Sequence, residues 1–135
     1  DGKWFAFASN QSGRPEIYLQ RFEGGEKPSL KGERFSVTQN GAEFIRWRRD
    51  GKELFYLSHD GKVYRVGVTW GDRPKFEAPV ALFGTSVAAR AAIHAVIGFD
   101  VSADGQRFVL PVVHREEQRP IVVIRNWEAS LGQAK

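Results

Sequence analysis

Three histidines, His59, His94 and His114, are the side chains best suited to chemistry in this chain. An imidazole can ligate a metal, move a proton near neutral pH or bind a partner by hydrogen bonds. A zinc site would combine two or three of them with a carboxylate such as Asp60. The spacing argues against it, because no close pair of the His-x-x-x-His kind occurs. The sequence therefore calls for no metal and no cofactor. Cysteine is absent, which removes disulfides, cysteine nucleophiles and cysteine-ligated metals. No Gly-x-Ser-x-Gly nucleophile elbow is present, and Gly84-Thr85-Ser86 does not supply one. The phosphate loop, His-Arg-Asp and Asp-Phe-Gly of a kinase are also missing. The segment is read as non-catalytic.

Arg46, Arg48 and Arg49 flank Trp47 and give a short basic-aromatic cluster. In a strand, Arg46 and Arg48 point away from Ile45 and Trp47. The cluster is then one strand with an apolar and a polar face. No RNA-binding motif or continuous basic stretch accompanies it, so nucleic acid is not the expected partner.

The elements that must hold these residues are legible as a repeat. Asp1-Gly2-Lys3-Trp4-Phe5-Ala6-Phe7, Asp50-Gly51-Lys52-Glu53-Leu54-Phe55-Tyr56 and Asp104-Gly105-Gln106-Arg107-Phe108-Val109-Leu110 align. Asp50 follows Asp1 by 49 residues, and Asp104 follows Asp50 by 54. A four-stranded propeller blade repeats every roughly 40–50 residues. A second register agrees: Arg14-Pro15-Glu16-Ile17-Tyr18-Leu19 matches Arg119-Pro120-Ile121-Val122-Val123-Ile124, and Lys62–Val68 fills the same slot between them. Asp-Gly between alternating apolar runs marks a hairpin. The fold class is therefore all-β, a partial β-propeller of about two and a half four-stranded antiparallel blades.

Blade one covers 1–41 and lacks its inner strand, with strands near 3–9, 15–22 and 33–38. Blade two covers 42–84, with strands near 42–48, 52–58, 61–68 and 77–83. An insertion follows at 85–95, where the Ala-rich Ser86–Val96 run reads as a short helix or a long loop. Blade three covers 96–127 and lacks its outer strand, with strands near 96–102, 106–113 and 120–126. A polar tail occupies 128–135.

Antiparallel order sends alternate connections to opposite ends of a blade. Asn10, His59 and Asp60, and His114 and Arg115, fall in second-to-third-strand connections. Arg90 and His94 fall in the connection that leads into blade three. All seven are expected at one end, as candidate residues for a protein or peptide partner, since loops on a rigid scaffold carry binding residues. The plainer reading is that each is a solvated loop side chain.

These residues resemble the bacterial TolB-type, or WD40-like, propeller repeat. Asp1-Gly2-Lys3, Ala8-Ser9-Asn10, Ile17-Tyr18 and Gly24-Gly25 stand in that repeat's order. Asp100-Val101-Ser102-Ala103-Asp104-Gly105-Gln106-Arg107-Phe108, followed by Pro120–Val123 and Asn126-Trp127, looks like the last blade of propellers attached to some bacterial serine/threonine kinases. The resemblance implies an extracytoplasmic sensor or interaction region of a larger protein. Alternatives are an accessory propeller gating a prolyl-oligopeptidase-type serine peptidase, a structural scaffold, or a Tol-like envelope protein. The open ring is expected to be completed by blades of a parent chain or by a second copy, as a homodimer.

Composition fits this reading. The chain has 135 residues, 41% hydrophobic, 27% charged and 13% aromatic, with a formal net charge of +4. That is globular rather than disordered, rich in residues that suit a pleated sheet, and without an apolar run of membrane-spanning length.

Overall fold

The computed structural model describes residues 2–85 and 99–110. Among them the chain is all-β and antiparallel, with ten strands and no helix. Strands β1 (Trp4–Ser9), β2 (Glu16–Glu23) and β3 (Ser29–Ser36) form the first sheet in chain order. The second contains β4 (Ala42–Trp47), β5 (Glu53–Ser58) and β6 (Lys62–Thr69). Two short strands, β7 (Lys75–Phe76) and β8 (Val80–Gly84), share the outer edge of β6. A hairpin of β9 (Asp100–Val101) and β10 (Phe108–Val109) forms the third. The helix-or-loop reading of Ser86–Val96 and the strand expected at 120–126 fall outside the described residues.

Two outer strands differ from the sequence expectation. β3 starts at Ser29 rather than near 33, because a bulge after Arg21↔Lys31 absorbs Gly32 and Glu33 and pairing continues on both sides. The strand expected at 77–83 is interrupted. Pro79 has no N–H to give to a ladder; Glu77 N–H still reaches Gly67 O of β6 at 3.0 Å, and regular pairing resumes at Val80, so the break falls at Ala78-Pro79.

Turn chemistry connects the strands. In the Asp50-Gly51, Asp60-Gly61 and Asp104-Gly105 turns, the aspartate accepts the N–H two residues on, from Lys52 (3.0 Å), Lys62 (3.1 Å) and Gln106 (3.0 Å). Each glycine donates its N–H to a carbonyl three residues back, on Arg48, Ser58 and Ser102. The glycines take φ of 69°, 81° and 74°, where a side chain is disfavoured.

The sheets stack face to face. Ile17 and Leu19 of β2 meet Ala42 of β4, Leu54 and Tyr56 of β5 and Val66 and Val68 of β6 in one buried cluster. On its other face the second sheet presents Phe55, Leu57 and Val63 to Phe99 and to the partly buried Val101 and Phe108. Phe108 meets Phe55 and Phe83 edge-on, each at 5.2 Å between centroids. The middle sheet is thus covered on both sides. β4 serves both cores through a bulge: Glu43 pairs with Leu57 and Ile45 with Tyr56, leaving Phe44 between them at φ 52°. Phe44 joins the second cluster, while Ala42, Ile45 and Trp47 join the first. Arg46 points the opposite way to Trp47 and lies 3.4 Å from Asp100 of β9.

The far face of the first sheet has no such cover among the described residues. Phe5, Phe7, Tyr18 and Phe22 form a run of ring contacts there, and the guanidinium of Arg34 lies over Phe7 and Tyr18. Phe5 is 48% exposed and Phe55 1%. Phe55→Ala is therefore expected to cost about 3–5 kcal/mol and Phe5→Ala less than about 1 kcal/mol in urea denaturation.

Candidate functional site

Three connections meet at one end of the stacked sheets: residues 10–15 between β1 and β2, 37–41 between β3 and β4, and 59–61 between β5 and β6. Backbone bonds join them. Ala42 N–H reaches Pro15 O at 2.9 Å, and His59 N–H reaches Gly41 O at 3.0 Å. Thr85 is anchored at the same end through its N–H and hydroxyl to Gly61 O.

Glu16 is the centre of this end. It is the first residue of β2 and 4% exposed, in a sequence otherwise alternating toward the core. Its Oε2 accepts from the Thr38 hydroxyl at 2.6 Å. Its Oε1 accepts from Gly41 N–H at 2.9 Å and from Arg14 Nε at 2.7 Å. The Thr38 oxygen in turn accepts from Ile17 N–H at 2.9 Å, and Arg14 also donates to the Gln39 carbonyl. Burial pushes the Glu16 carboxyl up, but the bonds from Thr38, Gly41 and Arg14 outweigh it and hold it below the usual range. Both oxygens are occupied, so Glu16 ties loops together and is not free to abstract a proton.

Gly41 completes the knot. Its φ is 80°, and a Cβ there would sit 2.7 Å from Nδ1 of His59. Its carbonyl accepts from the Ser58 hydroxyl at 3.1 Å. The glycine leaves room for the His59 ring close to the backbone, with Nε2 3.5 Å from Oε1 of Glu43.

Around Glu16 lies an open cleft of about 480 Å³ lined by Ser12, Arg14, Tyr18, Ser36, Thr38 and Gln39. A second, of about 320 Å³, shares Thr38 and Gln39 and runs past Asn40 and Ser58 to Tyr56. Burial pushes the Tyr56 phenol to about 12, with Tyr64, Asp60 and Glu16 adding to the effect. These walls offer hydroxyls, carbonyls and one partly exposed guanidinium. They suit hydrogen bonding to a polar chain.

Of the residues singled out in the sequence, Asn10, His59 and Asp60 lie at this end. Asn10 closes its turn by accepting Gly13 N–H at 2.9 Å. Asp60 is engaged with Lys62 N–H and with the Tyr64 hydroxyl at 2.8 Å. Burial pushes its carboxyl up, and the bonds from Tyr64, Lys62 and Ser58 overcome this and hold it low. Arg90, His94, His114 and Arg115 fall outside the described residues. Among the described residues no three His, Asp or Glu side chains group closely enough to hold a metal, and no helix is long and apolar enough to cross a membrane. Sequence reasoning missed Glu16, Thr38 and Gly41. The signal was a charged residue directly after a proline in an apolar strand, but its partners lie 22 and 25 residues away.

Glu16 is lower in the folded than in the unfolded chain, so its stabilising effect is full above about pH 4.3 and lost as pH falls through the depressed folded value. Glu16→Gln is expected to lower stability at pH 7 by about 1.5–3 kcal/mol. It is also expected to flatten the loss of stability between about pH 5 and 3, measured by urea melts across that range.

No protein-family model, curated protein or solved structure matches the chain.

Proposed function

We propose that this chain is a propeller-type segment that binds a protein or peptide at the Glu16 end and carries out no catalysis of its own. The observation that carries the reading is the face-to-face stacking of successive antiparallel sheets, with the middle one covered on both faces. Radially stacked blades need this burial, and each added blade must bury the face left by the one before. The aromatic face of β1–β3, without cover among the described residues, supports a further sheet packing there, from a longer parent chain or a second copy. The resemblance to the TolB-type repeat agrees with that arrangement.

The binding end is supported by chemistry. Loops 10–15, 37–41 and 59–61 are held by buried hydrogen bonds to Glu16 and Gly41, so they form a surface ordered before a partner arrives. Preorganisation of this kind reduces the cost of binding. The clefts carry donors and acceptors but no activated nucleophile, which favours recognition over reaction.

Selection of peptides from a random displayed library on the immobilised chain tests this. Peptides that bind are expected to lose affinity by about tenfold or more when Gln39→Trp fills the shared wall of the two clefts. They are expected to bind unchanged when Arg49→Gln alters the opposite end. Failure to enrich any peptide, or peptides indifferent to Gln39→Trp, overturns the assignment of this end.

A further inference from the structure

The opposite end of the sheets carries a different surface. Trp4 starts β1, Trp47 ends β4 and Trp70 follows β6, and the two-sheet joint brings the three indoles together. Trp70 stacks on Trp4 with centroids 5.5 Å apart and planes at 29°, and lies 5.9 Å from Trp47 at 33°. Its Nε1–H donates to Gly51 O at 2.9 Å, which fixes the ring while leaving Trp70 39% exposed. Beside the indoles is a cleft of about 250 Å³, bordered by Gly2, Gly51, Arg48 and Arg49.

The charges at this cleft are unevenly satisfied. Arg48 is bound by Asp50 at 2.6 Å and by Glu53 at 2.9 Å, so its charge is already met. Asp50 is held at about 2 by Arg48 and by the Lys52 N–H, and remains an anion. Arg49 uses its backbone N–H on Ala103 O. Its guanidinium is exposed and makes no ion pair or hydrogen bond among the described residues. The Arg21 guanidinium also lies at this wall, 5.8 Å from the Trp4 ring centroid, but of these two only Arg49 borders the cleft itself. An aromatic wall beside the Arg49 charge complements an aromatic ring that carries a carboxylate close by. Tryptophan faces accept rings by stacking, and the guanidinium fork accepts a carboxylate with two bonds.

The geometry points to a second binding site here, for a peptide segment in which an aromatic side chain adjoins a single acidic residue. The ring enters against Trp4, Trp47 and Trp70, and the carboxylate meets Arg49. The site is independent of the clefts around Glu16 and of whether further sheets pack on β1–β3.

The test is titration of the ¹⁵N-labelled chain with acetyl-Gly-Phe-Asp-Gly-amide, followed by the indole N–H signals in NMR. The signals of Trp4, Trp47 and Trp70 are expected to shift together and to saturate below about 10 mM. Acetyl-Gly-Phe-Asn-Gly-amide is expected to bind about three- to fivefold more weakly, the scale of one exposed ion pair. In Arg49→Gln that preference disappears while the indoles still respond. In Trp70→Ala both peptides bind at least about tenfold more weakly. Trp70→Phe, which keeps a ring at the joint, recovers part of the affinity and guards against a folding defect. No saturable indole shift, equal affinity for the Asp and Asn peptides, or a preference that survives Arg49→Gln overturns the proposal. So does phenylacetate binding as tightly as the peptide, which would make the site one for small aromatic acids.

Discussion

A strand covered on both faces cannot alternate polar and apolar residues. β5 is such a strand: Leu54, Phe55, Tyr56, Leu57 and Ser58 are all buried. Leu54 and Tyr56 face the first sheet, and Phe55 and Leu57 face the third. Remove either neighbour and half of this strand meets water. The cost falls on the largest side chains, because a ring such as Phe55 contributes more buried area than any aliphatic residue. Much of the rest follows from keeping both neighbours in place. The bulge at Phe44 lets a single strand place Ala42 and Ile45 in one core and Phe44 in the other. Arg46 and Asp100 bridge the second and third sheets at their edge. The Asp104-Gly105 turn nests against Phe55 and Arg48, where an added Cβ would lie 3.0 Å from the Phe55 ring.

The connection between the first and second sheets is held differently. Residues 37–41 must cross from the edge of one sheet to the start of the next while leaving their backbone polar groups satisfied. A buried amide without a partner costs as much as a lost hydrogen bond or more. Glu16 meets this need by accepting from Gly41 N–H and the Thr38 hydroxyl at once. The Thr38 oxygen then serves Ile17. A carboxylate is suited to the task because it accepts several donors, and the Arg14 guanidinium offsets its charge. The same carboxylate therefore holds the joint between sheets and lines the cleft beside it.

How much of this could be read from the sequence depended on the range of the interactions. The Asp-Gly turns were legible because each aspartate bonds an N–H two residues away and the glycine conformation is local. The strand order was legible because the repeat places the same turn before the same apolar run. The opposition of Arg46 and Trp47 followed from the two-residue period of a strand. The outer strands were less legible, since the bulge at Gly32-Glu33 and the break at Pro79 answer to pairing with β2 and β6 rather than to their own residues. The Glu16 cluster and the three-indole joint were not legible. Trp4, Trp47 and Trp70 are far apart in the chain, and only sheet stacking brings them together.

Antiparallel order makes the two ends of such sheets chemically independent. Alternate connections emerge at opposite ends, so residues that adjoin in sequence across one strand are separated by its whole length. At one end the polar groups are mostly spent on each other, with Glu16, Thr38, Gly41 and Ser58 bonded internally. What faces solvent there is the outward side of a fixed frame. At the other end three indoles pack into the joint, and the Arg49 guanidinium beside them has no ion pair among the described residues. The first surface presents hydrogen-bonding groups in fixed positions, and the second presents indole rings beside the Arg49 charge. Since no described side chain contributes to both, a substitution at one end reaches the other only through the sheets between them. Those sheets are close-packed around Leu54 and Tyr56 and resist small displacements.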